Sequence, residues 1–127
     1  MKGDLPQATL YEFVGGGQWF VDLVDRFYEG VAEDELLRPL YPNDLTESRA
    51  HMSGFLIQYW GGPATYSEER GHPRLRMRHM PFAIGEAEKG AWLHHMNTAV
   101  REKGLEPEIE AHVLAYFDNA ATHLVNQ

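Results

Sequence analysis

The chain has 127 residues and a mass of 14.5 kDa, enough for one hydrophobic core and too little for several domains. Its formal net charge of −8 argues against a general nucleic-acid binder, and the absence of cysteine excludes disulfides and thiolate metal ligands. No stretch predicts a signal peptide or a membrane span, so we expect a cytoplasmic protein without membrane partners. A single domain over residues 1–127 is predicted, with residues 1–8 as a flexible N-terminal extension.

Two helices are predicted in the first third of the chain. Thr9 is expected to cap a short helix that reaches Val14 and places Leu10, Phe13 and Val14 on one face, and the glycines at 15–17 end it. After Gln18 the apolar residues follow the period of an amphipathic helix. The predicted inward stripe of this second helix is Phe20, Leu23, Val24, Phe27, Tyr28 and Val31.

Three further helices are predicted beyond residue 43. Asp44 and Glu47 match a capping box that opens the third helix, which the Gly-Gly-Pro at 61–63 closes. A fourth helix ends near Gly104, and a fifth begins at Pro107, where the missing proline N–H costs nothing. The inward face of the third helix is expected to hold Leu45, Ser48, Met52, Phe55, Leu56 and Tyr59. No segment predicts a strand, so the fold class is all-α.

The segment between Gly62 and Ile84 differs from the rest of the chain, and we call it the anomalous segment. It holds few apolar residues, three prolines and one short predicted helix at 75–79. Such a long loop is uncommon in a compact domain unless it is functional or disordered. The basic and imidazole groups of this segment are Arg70, Arg74, Arg76 and Arg78, together with His72 and His79, and Glu68 and Glu69 precede them as local counter-charges.

A flat apolar ligand with negative groups, such as haem, would suit this composition. A histidine would bind the iron, the apolar residues would contact the macrocycle, and an arginine would meet a propionate. Two simpler interpretations remain open from the residues alone, since a histidine is more often a surface or core residue than a ligand. The arginines also suit a solvated face paired with the acidic residues. A third interpretation is a haem-free regulator that binds an anionic partner through the arginines.

A set of motifs runs through nearly the whole chain. It comprises the glycines after the first helix, RFYEGVAED, LYP, QYWGGPATYSEERGHPRLRMRHMPF and AWLHHM. In this set the chain resembles the group II truncated haemoglobins, short bacterial globins with a two-over-two helical sandwich. The resemblance implies that fold, one haem b as cofactor, and a proximal histidine in the anomalous segment.

The resemblance also implies roles for individual residues. His79 matches the proximal iron ligand. The polar residues on the distal side of the haem, where the ligand binds, would be Tyr28, Tyr41 and Trp92. Further haem contacts would be Arg78 and Tyr66 near the propionates, Phe82 against the ring, and Phe55 and Leu75. His72 lies in the matching run, but a turn or capping role is expected for it.

Two distal positions depart from the family pattern. Ser48 stands where an alanine is usual, and Met52 stands where a leucine or glutamine is common. Ser48 is suited to hold a water or donate to a ligand, whereas Met52 mainly fills space. His51 is expected to point beside the inward stripe, so we do not expect it to ligate iron.

The function implied by the resemblance is reversible binding of O₂, and of CO and NO, at a five-coordinate haem. Hydrogen bonds from the distal tryptophan and tyrosines would make binding tight and release slow. Sulfide is a further ligand left open for this binding protein. The alternative is a haem redox enzyme with peroxidase-like or NO-oxidising activity, for which peroxide would be a ligand. Turnover would need a separate reductase, because no flavin motif occurs in the sequence. Homodimerisation is left open.

Overall fold

All regular structure in the described part of the chain is helical. A computed structural model describes residues 9–127 apart from the side chain of Arg76, and no strand occurs within that part. Its helices are α1 (Leu10–Phe13), α2 (Gly17–Ala32), α3 (Thr46–Tyr59), α4 (Thr65–Arg70), α5 (Leu75–His79), α6 (Glu86–Glu102) and α7 (Pro107–Leu124), with a 3₁₀ helix at Arg38–Leu40. The all-α prediction is confirmed. The extension predicted for residues 1–8 lies outside the described residues.

Four long helices form two packed pairs. Helix α2 packs against α3 and α6, and α6 packs in turn against α7, so the pairs α2–α3 and α6–α7 lie one over the other. The predicted stripe of α2 is buried at every position. None of the described helices is long and apolar enough to cross a membrane.

The crossing of α2 and α6 requires a glycine. Gly30 on α2 faces the imidazole of His95 on α6 so closely that a methyl group at position 30 would overlap the ring. The Nε2–H of His95 donates to Asp34 Oδ2 at 2.7 Å, while Asp34 Oδ1 accepts the N–H groups of Leu36 and Leu37 at 2.9 and 3.1 Å. Asp34 therefore ties the turn after α2 to the middle of α6.

The helix ends match the sequence predictions in part. Thr9 caps α1 in a capping box with Glu12. Leu10 and Val14 pack against the core, but Phe13 is 54% exposed, so the face predicted for these three residues does not hold for Phe13. The capping box predicted for α3 is also wrong. That helix begins at Thr46, whose N–H donates to Asp44 Oδ1 at 2.9 Å in a turn that precedes the helix.

The anomalous segment contains more helix than the sequence indicated. Helix α5 matches the prediction for 75–79, whereas α4, only six residues long, was not predicted. Helix α4 is fixed to α3 by Gln58, whose side chain donates to Ser67 Oγ at 2.7 Å and accepts the Ser67 N–H at 2.8 Å. Tyr66 is buried in the contact between α4 and α3.

Candidate functional site: the cavity between the helix pairs

A cavity of about 350 Å³ lies between the two helix pairs, with α5 along one side. Apolar side chains dominate its walls, and a few polar groups converge on it, as is usual for sites that bind small molecules or cofactors. The structure brings together every site residue that the resemblance indicated. These are His79, Arg78, Leu75 and Phe82 on the α5 side, and Tyr28, Tyr41, Ser48, Met52, Phe55, Tyr66 and Trp92 around the remainder.

His79, the last residue of α5, presents one defined ring nitrogen to the cavity. Its Nδ1 lies 2.7 Å from the carbonyl oxygen of Leu75. Because a carbonyl only accepts, Nδ1 carries the hydrogen and Nε2 keeps its lone pair. A hydrogen bond on the far nitrogen is the usual way in which proteins fix the tautomer and orientation of a metal-binding histidine.

The turn before α5 depends on the other histidine of the segment. Arg74 has a left-handed backbone, with φ of 47°, at the start of α5. Its N–H donates to His72 Nδ1 at 3.1 Å, which confirms the turn role expected for His72. The segment therefore uses its two histidines differently, His72 in the backbone turn and His79 in the cavity wall.

Cationic side chains stand at the rim of the cavity. Arg78 is exposed but contributes to the cavity lining, and its guanidinium lies 3.5 Å from the carbonyl of Arg70. The Arg70 guanidinium lies 5.9 Å from the centre of the Tyr66 ring. The α5 edge of an otherwise apolar cavity is thus suited to an anionic group at the solvent boundary.

The wall opposite α5 is a cluster of aromatic rings. Tyr28, 2% exposed, meets Tyr41 edge to face with 5.5 Å between ring centres. Phe27 supports the cluster from behind, with its ring centre 4.9 Å from that of Tyr28 and 5.1 Å from that of Trp92. These contacts fix the directions of two phenol groups and one indole.

Burial keeps both distal phenols protonated. It raises the pKa of Tyr41 to about 12, against the opposite effect of hydrogen bonding to Trp92 and Tyr28. The pKa of Tyr28 is also raised, first by burial and then by the neighbouring Tyr41. Both hydroxyls carry a hydrogen at neutral pH, as an ordinary phenol also does, and the Tyr41 oxygen accepts hydrogen bonds from Trp92 and Tyr28.

The main chain at Tyr41 is held by a residue that the sequence analysis missed. The guanidinium of Arg38 donates to the carbonyls of Pro42 and Asn43 at 2.8 and 2.7 Å, and to that of Tyr41 at 3.4 Å. A single arginine in a short connection gives no periodic signal. Its role becomes visible only when the loop is seen to fold back around the side chain.

Helix α3 presents a wider face to the cavity than was predicted. Ser48, Met52 and His51 all line it, so position 51, expected beside the inward stripe, also borders the cavity. Positions separated by three and four residues share a face of about 100° or more, which is wide enough to include position 51. Burial lowers the pKa of His51, Arg70 and Arg78 lower it further, and Glu47 opposes them. Its imidazole is therefore neutral at neutral pH.

Helix α7 contributes cavity residues that the sequence analysis did not name as site residues. The apolar stripe of a core helix and that of a helix facing a large apolar ligand have the same period, so the sequence does not separate the two cases. The residues of α7 that line the cavity are Tyr116, Phe117, Ala120, Ala121 and Leu124.

These features fit a haem. One imidazole offers a lone pair, the walls are apolar, a cation stands at the rim, and the donors of the aromatic cluster lie on the other side. A helical sandwich with such a cavity defines the globin class.

Comparisons with known proteins identify the family. Residues 9–126 match the family described as bacterial-like globin. A group 2 truncated haemoglobin of Bacillus subtilis is 46% identical, over 92% of this chain and 88% of its own length. Among solved structures, the haemoglobin of Chloroflexus aurantiacus has a TM-score of 0.92 at 48% identity, covering 95% of this chain and 100% of that one. A truncated oxygen-avid haemoglobin from Bacillus subtilis has a TM-score of 0.86 at 45% identity, covering 93% of this chain and 99% of that one.

The chain therefore belongs to the bacterial-like globin family. Its structural neighbours are group II truncated haemoglobins, as the sequence motifs indicated. Membership of this family implies a haem cofactor and the binding of small gaseous ligands such as O₂.

Proposed function

We propose that the protein binds O₂ reversibly, and CO and NO as further diatomic ligands, at a five-coordinate haem b held by His79. The observation that carries the proposal is the 2.7 Å contact between His79 Nδ1 and the Leu75 carbonyl, which leaves Nε2 as the coordinating atom in the cavity wall. The sequence contains no cysteine for covalent attachment, which favours haem b. When bound, haem supplies the iron centre at which the ligand is held.

The α5 side would orient the cofactor. Leu75 and Phe82 would pack against the macrocycle, with Phe55 on the α3 side, while Tyr66 and Arg78 would meet the propionates. Since Arg78 is exposed, its ion pair with a propionate should contribute about 1 kcal/mol or less. Apolar burial and the His79 bond would therefore supply most of the cofactor affinity.

The distal groups would retain a polar ligand. Trp92 donates only, and Tyr28 and Tyr41 are protonated, so a bound O₂ would compete with the Tyr41 oxygen for the Trp92 and Tyr28 hydrogens more effectively than the weaker acceptor CO. A hydrogen bond to a charged partner contributes about 1.5–3 kcal/mol, which corresponds to roughly ten- to a hundred-fold slower release. The description of the Bacillus subtilis relative as oxygen-avid supports tight binding. Slow release suits retention or redox chemistry better than delivery.

A second candidate is a haem redox enzyme with peroxidase-like or NO-oxidising activity. The observation in its favour is a run of aromatic rings from the cavity to the surface. Ring centres are 5.9 Å apart for Trp92 and Phe117, 5.7 Å for Phe117 and Trp60, and 5.2 Å for Trp60 and the half-exposed Tyr59. Tryptophan and tyrosine side chains are oxidisable, so a reductant at the surface would have a path inward. Sustained turnover would draw electrons from a separate reductase.

The histidine assignment is tested with absorption spectra of two variants. His79→Ala should lose the five-coordinate ferrous spectrum and much of the stabilisation that cofactor binding gives the folded state. His112→Ala is the control, because this exposed histidine of α7 does not line the cavity. An unchanged Soret band in His79→Ala would contradict the proposal.

The distal assignment is tested with Trp92→Phe, which keeps most of the ring volume and removes the N–H donor. In stopped-flow measurements O₂ dissociation should accelerate at least about 10-fold, while CO dissociation changes much less. Equal acceleration for both ligands would show that Trp92 acts as a steric barrier. Efficient turnover of peroxide with an aromatic reductant, lost on Tyr59→Phe, would favour the redox enzyme.

A further inference from the structure

The residues that follow α7 fasten the segment that carries His79. The N–H of Asn126 donates to the Ile84 carbonyl at 2.8 Å, and the N–H of Ile84 donates back to Asn126 Oδ1 at 2.9 Å. The N–H of Gln127 donates to the same Ile84 carbonyl at 3.2 Å. We call these contacts of Asn126 and Gln127 with residues 79–84 the proximal clasp.

The amide of Asn126 uses both of its ends in the clasp. While Oδ1 accepts from Ile84, Nδ2 donates to the Phe82 carbonyl at 2.9 Å and lies 3.5 Å from the His79 carbonyl. The chain bends at Phe82, and this one side chain contacts main-chain groups before and after the bend. Asparagine suits the position because its side chain is both donor and acceptor.

Few other contacts of the described residues fix the position of helix α5. It has five residues, far fewer than the roughly 12–15 that an isolated helix needs to be even marginally stable. Met77 and Met80 are 61% and 67% exposed, so they contribute little burial. Its start is the strained left-handed Arg74. The packing of α5 against α7 and the clasp are therefore the contacts that relate it to the long helices.

We propose that Asn126 is a positioning residue for the proximal histidine, acting through the main chain at 79–84. The inference rests on the proposed role of His79 as the iron ligand. A bond from imidazole to iron is directional, so the height and tilt of the ring depend on where the end of α5 is held. Without the clasp, α5 has a broader range of positions and the imidazole leaves the iron more often.

Three variants of the haem-loaded protein separate the parts of the clasp. Asn126→Ala removes both side-chain bonds. Asn126→Asp keeps the acceptor for the Ile84 N–H but faces the Phe82 carbonyl with an oxygen. Gln127→Ala is the matched control, since the Gln127 contact is made by its backbone N–H alone.

Each variant is measured for haem transfer to an excess of another apoglobin, for the iron–histidine vibration in the ferrous state, and for amide hydrogen exchange. Asn126→Ala should lose haem about 10-fold faster, with a broadened and shifted iron–histidine band and faster exchange at Phe82 and Ile84. Asn126→Asp should shift the band while the Ile84 amide stays protected. Gln127→Ala should stay within two-fold of the parent in haem loss.

Two results would overturn the inference. An iron–histidine band and a haem-loss rate unchanged in both Asn126 variants would show that the clasp does not act on His79. A fall in thermal stability with an unchanged band would reduce Asn126 to a structural residue. If Asn126→Ala does not fold, the iron–histidine band and the haem-loss rate of Asn126→Asp test the inference. Failure of the proposed function itself looks different, because the parent protein would then lack the band or His79→Ala would keep it.

Discussion

The two sides of the cavity are built in opposite ways. The distal side is part of the core, since Phe27 is completely buried and its ring contacts both Tyr28 and Trp92 on long, packed helices. The proximal side is a five-residue helix with the exposed Met80 beside His79, fastened mainly by hydrogen bonds. The geometry of the aromatic cluster is therefore coupled to the stability of the whole fold, whereas the geometry of His79, the proposed iron ligand, depends on local contacts.

The largest effect is expected where the distal wall joins the core. Phe27→Ala should destabilise the protein by about 3–5 kcal/mol, because it leaves a cavity behind two distal rings. Denaturant unfolding measures the loss, and O₂ dissociation of the same variant should accelerate as Tyr28 and Trp92 lose support. A loss below about 1 kcal/mol would mean that the distal rings are not held by the core.

A smaller effect is expected at the crossing of α2 and α6. Gly30→Ala should cost about 1–3 kcal/mol, because the new methyl group overlaps the His95 ring and displaces it from Asp34. Gly90→Ala on α6 is the matched control. Nothing lies within 4 Å of a methyl group there, so the substitution should stabilise the helix by up to about 1 kcal/mol. Equal thermal midpoints for the two variants would contradict the close approach.

The link between Asp34 and His95 predicts a pH dependence. The His95 hydrogen bond lowers the pKa of Asp34 below its ordinary 3.8 against the effect of burial, and the N–H groups of Leu37 and Leu36 lower it further. A lowered folded-state pKa stabilises the protein above pH 3.8, and this stabilisation is lost as the pH falls through the folded value.

Asp34→Asn should therefore cost about 1 kcal/mol or less at pH 6, with a smaller difference from the parent at pH 3. Unfolding midpoints of the two proteins over this range measure the difference. A gap that stays constant with pH would show that the carboxylate charge is not what stabilises the turn.

The smallest effect is expected on the proximal surface. Met80→Ala should change the free energy of unfolding by less than about 0.5 kcal/mol, because the side chain is 67% exposed. Denaturant unfolding of Met80→Ala and Phe27→Ala under the same conditions compares the two losses in the free energy of unfolding. A loss comparable to that of Phe27→Ala would mean that the proximal side is packed as firmly as the distal side.

The sequence predicted the parts of the fold that repeat with the helical period. The stripe of α2 is buried throughout, and α5 matches the short helix predicted at 75–79. Helix α4 was missed because it spans six residues and buries only Tyr66, which is too short for a period to show. Tyr59 fits the stripe of α3 but is 53% exposed, because that helix ends there at the surface.

Contacts between distant residues lay beyond sequence reasoning. Asp34 and His95 are 61 positions apart, and Asn126 bonds Ile84 across 42 positions. Each is an ordinary surface-type residue in its own neighbourhood, so no spacing marks it. The site residues named from family motifs line the cavity, whereas the α7 part of its wall and the residues that position the site come from the tertiary structure alone.

Trp92 gives the protein an internal optical signal. Its indole lies in the cavity wall beside Phe117, and Trp60 lies 5.7 Å from that same Phe117 ring. Haem absorbs at the wavelengths where indoles emit, so a haem in the cavity quenches both by energy transfer. Tryptophan fluorescence should therefore be bright in the haem-free chain and fall in proportion to loading, which allows cofactor occupancy to be titrated without a label.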